Sequence, residues 1–215
     1  RVIGCNFYLP QTSIILPDGG YNLSTANIGL KVIKVNQAVC GNSSERYTSS
    51  TASAVKTFQR THGLGVTGIV DITTWKAMGY SEYDWYNLGT YRTPIKVFNG
   101  ATREYRINAM LQTAAEYASA GTKYKVGCSG TPGTYVDCSG LIYQCLYAAG
   151  INPASNIVDH ALAIYEYTSA NLAADNRLGI EVASYDLQPG DLVFYAKNGK
   201  SSVCHIAIYA GNGCI

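Results

Sequence analysis

Apolar positions along the chain change period twice. Between residues 29 and 78 they recur at helical spacing in short runs. Val32, Val35 and Val39 mark the first run, and Ala54, Val55 and Phe58 the second. The second run follows Ser49-Ser50-Thr51 and ends in Thr61-His62-Gly63-Leu64, where Gly63 stands at the place of a helix C-terminal glycine. A third run covers 71–78, with Asp71 as N-cap and Gly79 as stop. These patterns predict three short helices in a compact bundle. A longer helix is predicted over roughly 102–120, with Ile107, Met110, Leu111, Ala114 and Ala118 on one face. Another is predicted from Cys138 to Gly150, before Pro153. The last third alternates instead: 191–195 and 202–210 are strand-like, joined through Lys197-Asn198-Gly199-Lys200. Helices first and a mixed region after them make the fold class α+β.

Two stretches lack a clear period. Residues 1–22, with Pro10, Pro17 and the turn Pro17-Asp18-Gly19-Gly20, read as extended segments and turns of no assigned role. Residues 80–100 are rich in Tyr and Trp and carry Gly89 and Pro94. They read as a linker packed against both neighbours, with a sugar-stacking surface as the alternative.

Composition sets limits on what the 215 residues can be. With 47% hydrophobic and 14% charged residues the chain can build packed cores and is unlike disordered sequences. No stretch reaches the roughly 18 apolar residues of a membrane span. A net charge of +2 does not point to nucleic acid. Residues 1–100 carry 9 Lys/Arg and 5 Asp/Glu, and 101–215 carry 7 and 9, so the halves are +4 and −2. That split agrees with a boundary near the middle and with ordinary surfaces alike. Starting at Arg1, the chain reads as a mature or excised fragment.

The sharpest chemical signal is Tyr135-Val136-Asp137-Cys138-Ser139-Gly140-Leu141, an extended segment entering a helix with a cysteine in its first turn. The helix N-terminus favours an anion, so the thiol pKa is expected to fall. The adjacent N–H groups are candidate oxyanion donors. Asp137 reads as a helix cap. A buried structural cysteine or a disulfide half is the competing reading for Cys138. His205, in Val203-Cys204-His205-Ile206-Ala207-Ile208-Tyr209, is a candidate base on a strand whose alternation groups it with Val203, Ala207 and Tyr209. His62 and His160 read as structural, with His160 a candidate pocket residue. Seven cysteines leave at least one thiol unpaired, and the six besides Cys138 allow 15 pairings. Cys145, on the same helix as Cys138, reads as core, and Cys204 faces away from His205.

Three blocks in order carry a family resemblance: Asp137-Cys138-Ser139-Gly140-Leu141, Leu187-Gln188-Pro189-Gly190-Asp191-Leu192-Val193-Phe194, and His205-Ile206-Ala207-Ile208-Tyr209. Residues 102–215 thereby resemble the NlpC/P60 papain-like cell-wall cysteine peptidases. The resemblance implies hydrolysis of amide bonds in peptidoglycan stem peptides, typically between D-glutamate and a diamino acid. It implies Cys138 as nucleophile and His205 as base, with Tyr124, Ser139 and Asp137 near the site as substrate or oxyanion contacts. It implies no metal and no cofactor. The family's Trp-Gly-Gly is replaced here by Val126-Gly127-Cys128. Its third polar residue, often His, is expected beyond Ile215, and Asn212 is a poor substitute. Gly29 to Val39, then Tyr47, Thr51, Ala54-Val55, Phe58-Gln59, Leu64, Thr67-Gly68, Asp71 and Thr74-Trp75, is similar to the peptidoglycan-binding domain beside many wall hydrolases.

The expected organisation is an N-terminal extension (1–22), a peptidoglycan-binding-like three-helix bundle (23–80), an aromatic-rich linker (81–101) and a papain-like peptidase domain with helices packed on an antiparallel sheet (102–215). Peptidoglycan is the expected partner, and the location secreted or in the cell wall. Two alternatives stay open: a non-catalytic wall-binding protein, and an amidase cutting between muramic acid and L-alanine.

Overall fold

The computed structural model describes residues 2–5, 20–89, 91–152, 168–175, 178–198 and 201–215, with side chains from residue 20 onward. Pro10, Pro17, Pro153, His160 and the Gly199-Lys200 half of the predicted turn lie outside the described residues. The architecture is α+β, with a helical N-terminal part followed by a mixed helical and stranded part.

Among the described residues, four helices precede the mixed part: α1 (Leu30–Cys40), α2 (Ser49–Thr61), α3 (Ile72–Ala77) and α4 (Glu82–Asn87). Local chemistry sets their ends. Thr48 caps α2 in a reciprocal box with Thr51, each hydroxyl accepting the other's backbone N–H at 3.2 Å. Asp71 Oδ1 accepts Thr74 N–H at 2.7 Å and opens α3. Gly63 and Gly79 follow α2 and α3 at positive φ, as the sequence pattern requires.

Val32 and Val35 of α1, Val55 of α2 and Trp75 of α3 build the bundle core, and Val39 packs at its edge. On α2 the buried stripe is Thr51, Val55 and Gln59 rather than the expected Ala54, Val55 and Phe58. Gln59 takes the core position because its amide serves the 67–69 loop. Its Oε1 accepts N–H from Thr67 and Gly68 at 3.0 and 2.9 Å, and its Nε2 donates to Ile69 O at 2.8 Å. Phe58 instead stacks on His62 at 3.9 Å, outside the core. Helix α4 arises inside the stretch read as linker. Ser81 Oγ caps it by accepting Asp84 N–H at 3.0 Å, and Trp85 enters the bundle core 5.6 Å from Trp75.

The mixed part contains α5 (Arg103–Ser119), β2 (Lys123–Tyr124), β3 (Tyr135–Val136), α6 (Cys138–Ala148), α7 (Ser169–Ala174), β4 (Gly179–Val182), β5 (Leu192–Ala196) and β6 (Val203–Ile208). On α5, Ile107 and Met110 are buried as expected, but Tyr117 is buried where Ala118 is exposed. The Tyr117 hydroxyl explains the choice, donating to Gly130 O at 2.7 Å. Met110, Ile142, Leu146, Leu192, Phe194, Ile206 and Ile208 form one core between α5, α6 and the sheet.

That sheet has the order β4-β1-β5-β6 with antiparallel pairing throughout. Its strand β1 is Val2–Cys5, from the N-terminal stretch whose pattern carried no assignable role. Val2 faces Val182 on one side and Val193 on the other, so β1 is an inner strand. Strand β4 carried no sequence signal either.

A buried glutamine ties the linker to α6. Gln144 Oε1 accepts Thr93 N–H and hydroxyl at 2.8 and 3.0 Å, while Nε2 donates to Tyr91 O and Ser129 Oγ, both at 2.8 Å. The linker thus packs on both neighbours, through Trp85 at one end and Thr93 at the other.

Candidate active site

The site is built where β3 runs into α6. Asp137 is the N-cap and is buried. Its Oδ1 accepts Gly140 N–H at 2.8 Å and the Ser139 hydroxyl at 3.1 Å, and its Oδ2 accepts Gly127 N–H at 2.8 Å. Asp137 N–H donates to Cys128 O at 2.8 Å. One residue therefore caps the helix and fastens the 127–128 loop to it. Gly140 completes the joint: a Cβ there would stand 2.3 Å from Cys128 O. The Asp-Cys-Ser-Gly spacing has a mechanical reason, because cap and close approach are both needed to hold Cys138 at the first turn.

Cys138 is half-buried, at the edge of the second core. Its sulfur meets the backbone N–H groups of Ile206 and Ser139 and the Tyr124 hydroxyl. Ile206 directly follows His205, so the packing of α6 against β6 brings the Cys138 sulfur to the backbone next to His205. Tyr124, 60% exposed, reaches Cys138 through both its sulfur and its backbone N–H. Burial, then the Cys138 and Asp137 charges, push the Tyr124 phenol up to about 12, so it stays a donor at neutral pH.

The expected fall in the Cys138 pKa is overturned. Burial raises the thiol above its usual range and the Asp137 carboxylate adds to the rise. Hydrogen bonds from Ile206 N–H, Tyr124 O–H and Ser139 N–H oppose it without cancelling it. The carboxylate that caps the helix offsets the helix terminus it occupies, which the sequence reading did not weigh. The resting thiol is therefore protonated at neutral pH.

His205 lies exposed on β6, its ring 5.6 Å from that of Tyr195. The expected face of Val203, His205, Ala207 and Tyr209 needs one correction. The pairing skips a residue, with Tyr195 opposite His205 and Ala196 opposite Val203. This bulge turns Val203 onto the core that also takes Ile206 and Ile208. Ser139 is buried with its hydroxyl on Asp137, leaving its backbone N–H toward the sulfur. His62 is at the far end of the bundle, stacked on Phe58.

The six cysteines with described side chains are all free thiols. Cys145 is fully buried, and burial pushes its pKa up to about 12. Among the described residues no three His, Cys, Asp or Glu side chains group to hold a metal ion.

The class the fold defines is a mixed helical and stranded region, with a cysteine at a helix N-terminus, preceded by a small helical bundle. Residues 121–215 match the NlpC/P60 family, and that region is an NlpC/P60 domain. Residues 34–78 match the family described as "Putative peptidoglycan binding domain". Two family models thus match separate parts of the chain, one in the bundle and one in the mixed region. A Bacillus subtilis protein named gamma-DL-glutamyl hydrolase is 30% identical over 156 residues, covering 72% of this chain. The match spans 31% of that relative's length. No solved structure matches the chain.

Proposed function

We propose that this protein is a papain-like cysteine peptidase that cleaves the amide bond between D-glutamate and a diamino acid in peptidoglycan stem peptides. The observation that carries this reading is the Cys138 sulfur lying against the backbone of the residue after His205. The name of the Bacillus relative supports a glutamyl bond. The match of the bundle to a peptidoglycan-binding family supports peptidoglycan as the partner and a wall or extracellular location. No helix among the described residues is long and apolar enough to cross a membrane.

The raised thiol pKa favours a particular order of events. His205 removes the Cys138 proton as the sulfur attacks the scissile carbonyl, forming the C–S bond. The Asp137 carboxylate occupies Gly140 N–H, so the backbone N–H groups of Cys138 and Ser139 are those that would receive the oxyanion. Protonated His205 then gives its proton to the leaving amine as the C–N bond breaks. Water, deprotonated by His205, attacks the thioester, and the proton returns to sulfur as the C–S bond breaks. Asp137 acts as a positioning residue throughout, and Tyr124 stabilises charge on sulfur by donation.

Release of soluble peptides from purified peptidoglycan tests the assignment. The parent should be active, and Cys138→Ala and His205→Ala should each lose at least about a thousandfold in rate. Retained hydrolysis by Cys138→Ala would exclude the mechanism.

A further inference from the structure

A cavity of about 940 Å³, whose lining does not include Cys138, lies at the junction of the bundle, α4 and the 130–135 loop. Its walls include Tyr83, Tyr86, Tyr91 and Tyr135 together with Lys34 and Arg92. We propose that this cavity is a glycan subsite that holds the N-acetylated amino-sugar chain of the wall polymer while a stem peptide reaches Cys138. The inference rests on the peptidase reading above for its geometry of use, but not for the binding itself.

Four tyrosines line one space, each an apolar face with a polar tip. Such faces suit pyranose rings, whose two sides are CH-rich and whose rims carry hydroxyls. Gln37 and Asn87 add side-chain amides that match acetamido groups, and the two cations match the free lactyl carboxylates of sugars that carry no stem peptide. The volume is near the top of the roughly 300–1,000 Å³ range of small-ligand sites, so it admits more than one ring. Tyr83 is 73% exposed and Tyr86 38%, so their rings are open to a ligand rather than consumed by the core.

The position has a functional logic. Tyr135 lies in the cavity wall and Cys138 follows three residues later, a separation of at most about 10 Å along the chain. A lactyl group and two stem residues span a distance of the same order. Sugar in the cavity would therefore place the bond after the second stem residue within reach of the nucleophile. The bundle and the peptidase region would form the subsite jointly. They already meet beside it, where Lys125 Nζ donates to Ser43 O at 2.8 Å.

The test uses the full chain and three probes: glycan strands freed of stem peptide, a sugar-free stem peptide, and a muropeptide carrying both. The variants are Tyr83→Ala and Arg92→Ala, at exposed positions. The parent should bind bare glycan strands, and each variant should weaken that binding at least tenfold. Sugar-free peptide should keep its kcat/KM within twofold, while the KM for muropeptide rises. No binding of bare glycan by the parent, or unchanged affinity in both variants, would overturn the subsite. A parent that binds glycan but cleaves neither peptide would count against the peptidase reading and uphold the subsite.

Discussion

In the proposed mechanism three residues carry the chemistry, and their surroundings determine when they act. Cys138, His205 and Tyr124 are legible from motif order. The direction of the thiol pKa shift is not, because it is set by burial in the folded core and by the Asp137 charge, against the Ile206 N–H some 68 residues away in sequence. The sign of one test follows directly. The Tyr124 hydroxyl lowers the Cys138 pKa, so Tyr124→Phe should move the pH midpoint for alkylation of Cys138 upward. Peptide-resolved mass spectrometry of iodoacetamide labelling reads that midpoint. A downward or unmoved midpoint would remove Tyr124 from the site. Cys145, fully buried, should stay unlabelled under native conditions at every pH where the fold persists.

Helices with caps and apolar stripes were readable, and short or polar-cored elements were not. Asp71, Gly63 and Gly79 announce ends of α2 and α3 through local hydrogen bonds and backbone freedom, whereas α2 starts at Ser49 on the Thr48 cap, ahead of the Ser49-Ser50-Thr51 triplet that the pattern placed before the helix. The stripe on α2 was read one residue off because a buried amide outranks a phenylalanine when a loop needs its N–H groups satisfied. Strands β2 and β3 are two residues long and β4 four, too short for alternation to stand out. Gln59→Leu should destabilise the protein by about 3 kcal/mol, since Thr67 and Gly68 N–H lose their acceptor. Gly140→Ala should cost about 1–3 kcal/mol through overpacking against Cys128 O. It should also depress activity more than stability, because α6 carries Cys138. Denaturant melts and hydrolysis rates on the same preparations check both.

The whole molecule is more interwoven than its order along the chain suggests. Strand β1, near the start of the sequence, supplies an inner strand of the four-stranded sheet. That pairing spans about 180 residues and leaves no local trace, which is why residues 1–22 had no readable role. Deleting residues 1–19 would strip β4 of its partner and leave β5 as an edge. The melting temperature should fall by at least about 5 °C, with hydrogen-exchange protection lost first in β4. An unchanged melt would mean that β1 is dispensable to the sheet. The bundle side is fixed as well, since a Cβ at Gly29 would stand 2.7 Å from Gly127 O, on the loop that Asp137 fastens. The bundle and the mixed region are thus joined next to α6.

Mass analysis of muropeptides released from purified peptidoglycan, by the parent and by Cys138→Ala, bears on all of these scales together. The expected products carry a new free amine on the diamino acid and a new D-glutamate carboxyl, and they are absent with Cys138→Ala. Products with a new amine on L-alanine, or the same products from both proteins, would contradict the assignment of Cys138 to the glutamyl bond.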